Sequence, residues 1–172
     1  MAVKEGARQR HRRLRKEAFL KNATEVLSRQ GFYQFSMNEL AQDLGTKKIV
    51  LYRYFDSKDD LIIEVLQRAS DMFLAIDALE YPSWEDALKA IVRACRKEPG
   101  AMRILARHAA HDPELSIYFE RYKDVVAERT AERLMRRLAN PIRGPVDYKF
   151  CGEAIANFLI DTISNWLDHG DV

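Results

Sequence analysis

Between Ser36 and Lys58 the chain reads Ser-Met-Asn-Glu-Leu-Ala-Gln-Asp-Leu-Gly-Thr-Lys-Lys-Ile-Val-Leu-Tyr-Arg-Tyr-Phe-Asp-Ser-Lys, and this stretch permits few folds. Ser36 and Glu39 stand at the S-x-x-E spacing of a capping box, which starts a helix. Met37, Leu40, Ala41 and Leu44 recur at i, i+3, i+4 and i+7, the period of one buried helix face. Gly45 follows the last of them, where a residue of positive φ can end a helix and turn the chain. Thr46 is placed to cap a second helix, from which Leu51 and Phe55 point back into the same small core. Two short helices across a tight turn form a helix-turn-helix, a motif whose second helix enters the DNA major groove.

The second helix breaks a local rule. Lys47 and Lys48 occupy its first turn, where the helix dipole disfavours a cation by about 0.3–1 kcal/mol each. Such a violation marks a functional site when phosphates sit opposite. At 100° per residue, Ile49, Val50 and Arg53 face away from Leu51 and Phe55, with Tyr52 and Tyr54 flanking. An outward Ile-Val pair suits thymine methyl groups, and Arg53 suits a guanine edge or a phosphate. Upstream, residues 1–16 hold seven Lys/Arg and one Glu, including Arg8, Arg10, Arg12, Arg13 and Arg15. Alone, such a run reads as a solubilising tail. Before a helix-turn-helix it reads as an arm that follows phosphates or enters the minor groove, with strong salt dependence. Residues 1–60 carry 13 Lys/Arg against 8 Asp/Glu, and the remainder 15 against 18. The positive charge is therefore concentrated in the first part.

Ala23, Leu27, Gly31-Phe32, Ser36-Met37, Leu40-Ala41, Leu44-Gly45, Leu51-Tyr52, Tyr54-Phe55, Ser57-Lys58 and Leu61 together resemble the tetracycline-repressor-like (TetR) family of bacterial transcription regulators, over about the first 65 residues. Where that family has an aliphatic residue, Ser, a basic or small residue, Gly or Ala, then Thr or Ser, this chain has Thr46-Lys47-Lys48-Ile49-Val50. The hydroxyl missing at Val50 removes a hydrogen bond to phosphate or base, so an operator sequence does not transfer from relatives. The resemblance implies an all-α chain. Residues 1–58 would form the basic arm and a three-helix DNA-binding domain, and residues 59–172 a helical ligand-binding and dimerisation domain. It implies a homodimer through the last two helices, reading a palindromic double-stranded operator with half-sites about 34–36 Å apart. It also places Lys58 on a phosphate, with Ser36, Arg10, Arg12 and Arg13 in the DNA-binding set. A small-molecule effector would sit between the helix from 58 to 79 and the later helices, shift that helix, and release DNA. The candidate lining is Phe73, Ile76, Trp84, Met102, His108, Tyr118, Phe119 and Phe158, most of which are equally readable as core.

The rest of the chain is punctuated as a helical protein, its 7 Gly and 5 Pro falling between periodic segments. Helix 1 is predicted from about Arg12 to Gln30, with Leu14, Ala18, Phe19, Ala23, Val26 and Leu27 as its core stripe and Gly31 as its end. Phe32 and Phe35 are expected to plug the small core. Ser57 with Asp60 starts a helix running to about Leu79, and Ser83 with Asp86 starts one from Trp84 to Lys97. Pro99-Gly100 is predicted to stop it, and a short helix from Ala101 to Ala110 follows. Asp112-Pro113 opens the next, with Asp as cap and Pro in the first helical position, running to Leu138. Asn140 to Pro145 reads as linker, and Val146 to Leu167 as the last helix, carrying Phe150, Ala154, Ile155, Phe158, Leu159, Thr162, Ile163 and Trp166.

His108, His111 and Asp112 are the one cluster with metal-ligand spacing, and a metal-dependent sensor or enzyme is the alternative they raise. No H-E-x-x-H accompanies them, and Asp112 already has a use as a cap. No Gly-rich phosphate loop, G-x-S-x-G or Cys-x-x-Cys is present, so nothing pairs a nucleophile with a base. No enzyme, no cofactor and no metal are expected. Cys95 and Cys151 read as two reduced thiols of a cytoplasmic protein; neither a leader nor a membrane span is expected. The sequence thus points to a DNA-binding regulator, a ligand-responsive repressor in the first reading, an activator or effector-independent regulator in the second.

Overall fold

The computed structural model describes residues 6–137 and 147–169. Every regular element among them is helical: α1 (Ala7–Gln34), α2 (Met37–Asp43), α3 (Lys48–Leu51), α4 (Lys58–Asp77), α5 (Trp84–Lys97), α6 (Pro99–Arg103), a π-helical turn (Ile104–His108), a 3-10 turn (Ala109–His111), α7 (Ser116–Arg137) and α8 (Tyr148–His169). The three expected serine caps form. Ser36 Oγ accepts from the Glu39 amide, Ser57 Oγ from that of Asp60 and Ser83 Oγ from that of Asp86, at 3.2, 2.9 and 3.1 Å. Each relieves one of the unpaired amides of a helix N-terminus. Gly31 and Gly45 take positive φ, 75° and 59°, at the two places where the spacing required a turn.

Five expectations need correction. Helix 1 begins at Ala7, not Arg12, so the run from Arg8 to Arg15 is helical and projects past the core. Leu14, placed in the core stripe by its spacing, is 56% exposed. Thr46 does not cap α3; Lys47 stands at that position with no side-chain cap. Pro99 starts α6 instead of stopping the chain, and the segment then widens into the π turn where an α-helix was expected. Pro113 lies in a turn ahead of α7, held by Asp112 Oδ1, which accepts from the Glu114 and Leu115 amides at 3.0 Å each. The expected linker from Asn140 to Pro145, with Leu138 and Val146, falls outside the described residues.

One apolar core runs through the described helices, from Phe19 and Leu27 of α1 through Leu51 and Phe55 to Phe73, Met102, Ile104 and Leu167. The second half of α1 is seated in it as firmly as α4 is. Gly100 of α6 lies so close to α1 that a Cβ there would be 3.0 Å from Ser28 Oγ and 3.1 Å from Glu25 Oε1. The last two helices pack antiparallel, Gly152 early in α8 lying against Ala127 and Ala131 late in α7. Two arginines of α7 close the far end of α4: Arg129 donates to the Leu74 carbonyl at 2.9 Å, and Arg133 meets Asp77 at 2.7 Å. Cations at a helix C-terminus oppose its partial negative charge. Among the described residues no helix is long and apolar enough to cross a membrane.

Candidate nucleic-acid interface

The second short helix is mounted from beneath. Leu51 and Phe55 are fully buried, with Leu40 of α2 and Leu27 of α1 around them. That anchoring decides what the other faces of α3 present. Ile49 is 70% exposed, and Lys47, Lys48 and Arg53 are exposed beside it. Val50 corrects the helical-wheel expectation: it is half-buried and packs against the core, so Ile49 is the outward apolar side chain. The reason is that α3 has only one turn, after which the chain bends through Tyr52–Tyr54 toward Phe55. Tyr52 is exposed with the Lys48 ammonium 5.6 Å from its ring centre. Tyr54 turns inward, its ring edge-on to Phe19 at 5.2 Å and 89°. One short tip therefore offers two ammonium groups, a guanidinium and one branched apolar side chain, which is the chemistry of phosphate and base-edge contact.

The flanking residues divide. Lys58, at the start of α4, is half-buried, 5.9 Å from the ring centre of Phe35 and 3.4 Å from the Tyr33 carbonyl. Ser36 has its hydroxyl engaged as the α2 cap. Arg10 and Arg13 are exposed on the first turns of α1. Arg12 is different, because its Nη2 donates to the Arg53 carbonyl at 3.2 Å and its guanidinium lies 5.6 Å from the centre of the Tyr54 ring. Sequence reasoning missed that contact, and a partner 41 residues away leaves no local signal. It also missed Tyr33, 84% exposed, whose phenol is raised above its ordinary 10.0 by a hydrogen bond to Asp112 and then by that carboxylate's charge.

The eight residues expected to line an effector cavity do not converge. Phe73 and Met102 are fully buried core, Phe73 lying 6.2 Å from the Tyr122 ring. Tyr118 and Phe119 are half-buried against the same core. Trp84 is 45% exposed and Phe158 67%, so both project from the body and neither closes a cavity within it. Ile76 borders an open groove of about 940 Å³ with Met72, Ala94, Arg68 and Glu98. His108 is committed elsewhere: its Nε2 is 3.1 Å from the Ser28 carbonyl and its ring meets Phe32 at 5.8 Å. Among the described residues no three His, Cys, Asp or Glu side chains are grouped to hold a metal, so His108, His111 and Asp112 do not assemble as one. Cys95 is buried, which pushes its thiol up to about 12 and leaves it unreactive.

Residues 19–65, the span from Phe19 through α2 and α3 into α4, match the family described as bacterial regulatory proteins, tetR family. The helix-turn-helix module over those residues is of the TetR type. A helix-turn-helix transcriptional regulator of Mycobacterium tuberculosis strain H37Rv is 26% identical over 137 residues, 74% of this chain and 57% of that relative. The chain thus spans little more than half the length of that relative. A TetR-like transcriptional regulator from Rhodococcus sp. RHA1 superposes with a TM-score of 0.74 at 21% identity, over 92% of this chain and 86% of the other. AibR in complex with isovaleryl coenzyme A and operator DNA superposes with a TM-score of 0.64 at 21% identity, over 88% and 86%. The TetR-type helix order therefore extends beyond the matched module into α5–α8.

Proposed function

We propose that this chain is a DNA-binding transcriptional regulator of the TetR family, a repressor that reads a palindromic operator as a homodimer and is released by a small molecule. The observation that carries the DNA-binding reading is the tip of α3, where Lys47, Lys48, Ile49 and Arg53 stand exposed on a helix anchored by the buried Leu51 and Phe55. Lysines there hold phosphates; Ile49 and Arg53 meet bases. A one-turn reader has little surface of its own, and two copies about one DNA turn apart supply the rest. The surface that pairs them is α8, where Phe150, Ala154 and Phe158, four residues apart on one stripe, face outward. Two phenylalanines 66% and 67% exposed on one helix face are what a second copy covers. The ligand's lever is α4, which starts at Lys58 beside the reader and ends where Arg129 and Arg133 of α7 hold it. A ligand at the groove bordered by Met72 and Ile76 displaces α4 and changes the half-site spacing. Coupling of this kind is about 1–3 kcal/mol and reciprocal, so DNA weakens ligand binding by the same factor.

The test is selection of bound sequences from a random duplex pool. A palindromic consensus with half-sites about one turn apart is expected; a pool that enriches nothing refutes the reading. Lys48→Ala should weaken binding to every duplex and lower the salt slope by about 0.9, one phosphate contact. Binding unchanged at moderate salt would take Lys48 out of the interface. Phe158→Glu should sediment as a monomer, since it sets a charge into the proposed apolar contact; a surviving dimer would move the interface off α8.

A further inference from the structure

Resting on the DNA-binding reading, we infer that Arg12 is a positioning residue for the recognition helix, and that it fixes the pose of Arg53 and Tyr54 instead of neutralising a phosphate. A helix of one turn has no stability of its own, so its orientation must come from what grips its ends. Leu51 and Phe55 set how deep α3 sits. They leave the outgoing turn to be fixed. There the Arg53 amide reaches the Val50 carbonyl only at 3.3 Å, while those of Tyr54 and Phe55 both close on Leu51 at 2.8 and 3.0 Å. The Arg53 carbonyl receives its hydrogen bond from Arg12 at 3.2 Å.

The same guanidinium lies 5.6 Å from the centre of the Tyr54 ring, and that ring abuts Phe19, seven residues further along α1. Arg12 and Phe19 thus hold residues 53 and 54 from two points on one helix. A guanidinium can lie over a ring and still donate in its own plane. A cation at the end of α3 also opposes the partial negative charge of its last carbonyls. The peptide so held is the one that carries the Arg53 side chain toward the bases. This geometry exists because α1 begins at Ala7; an unstructured arm would not aim Arg12 at a fixed point.

Phosphate contact and positioning leave different signatures, so we would compare the native chain with Arg12→Ala in two assays. Salt dependence is measured on a fixed duplex of arbitrary sequence, and preference for the selected consensus over that duplex on the consensus site. The expected result is an unchanged salt slope with a consensus preference about three- to tenfold lower, the scale of one ordinary hydrogen bond. Arg12 is exposed, so the variant keeps the fold, checked by an unchanged melting midpoint. A slope reduced by about 0.9, with or without a change in preference, would make Arg12 a phosphate contact and overturn the inference. A slope and a preference both unchanged would overturn it too. If the native chain selects no consensus, the DNA-binding reading fails, a result that the salt assay on Arg12→Ala cannot mimic.

Discussion

Gly152→Ala is expected to lower the melting midpoint by about 2–12 °C, and Gly152→Val to abolish the proposed dimer altogether. The added Cβ would stand 2.5 Å from the Ala127 carbonyl oxygen, and 2.9 Å from both the Ala131 amide nitrogen and the Ala131 Cβ. Backbone and a methyl group cannot swing aside as a long side chain would. The two helices must therefore part. Overpacking of this kind costs about 1–3 kcal/mol, which in a chain of this size is about 2–4 °C per kcal/mol. Valine adds two more methyl groups to the same gap and tilts α8, the helix that carries Phe150 and Phe158. Thermal unfolding with sedimentation of both variants gives the answer. A Gly152→Ala chain that melts with the native one would show that α7 and α8 can separate freely.

The second large effect is at Glu98, in the joint between α5 and α6. Its carboxylate receives Arg68 twice, at 2.7 and 3.2 Å, while Arg68 Nε reaches Glu17 of α1 at 2.5 Å. Side-chain exposures of 13% for Arg68 and 10% for Glu98 make this a largely buried pair. Glu98→Ala leaves the guanidinium buried with only the half-exposed Glu17, so a loss of about 3 kcal/mol is expected in a urea titration. Glu85→Ala is the control, since its pair with Lys89 lies on the surface and is worth about 0.3–0.5 kcal/mol. Equal losses for the two would mean that Arg68 is stabilised without Glu98. Burial alone pushes the Glu98 carboxyl up, but the hydrogen bond and charge of Arg68, with Lys21 and Lys97, outweigh it and hold the group below its ordinary 4.5. A depressed carboxyl contributes its stability in full above the unfolded value and loses it as pH falls through the folded one. Native stability should therefore drop below pH 4.5, and Glu98→Gln should flatten that part of the curve.

What could be read from the sequence was what rests on short range. Ser36, Ser57 and Ser83 each sit three residues before the amide they accept, so their helix starts were visible as spacing. Gly45 was visible because few other residues tolerate its φ. The start of α1 was not, since Gly6 caps it with no side chain and arginines are good helix formers. Leu14 and Phe158 show the limit of periodicity: each lies in a helical stripe, but whether a stripe is covered depends on which neighbour arrives. The aromatic residues expected around an effector diverge for the same reason. Phe73 and Phe158 have similar spacing, yet one is fully buried and the other mostly exposed. Arg12 was assigned by charge to a phosphate, and its guanidinium reaches a carbonyl in the turn after α3.

Finally, the way α1 is seated bears on how such a protein could acquire a new reading specificity. Ser28 and Gly31 are in contact with His108, and Glu25 and Ser28 crowd Gly100, all from the half of α1 that follows Lys21. Grafting residues 6–57 of a relative onto this chain would set foreign side chains against Gly100 and His108, where a Cβ on Gly100 or Gly31 would already stand only 3.0–3.4 Å from its neighbour. The seam for an exchange lies instead after Gly31, leaving that half of α1 with its own partners. The 26 residues from 32 to 57, anchored by Leu40, Leu51 and Phe55, would then be the transferable cassette. Point changes at exposed positions of α3 are the cheaper route still, because nothing in the body rests on Lys47, Lys48 or Ile49.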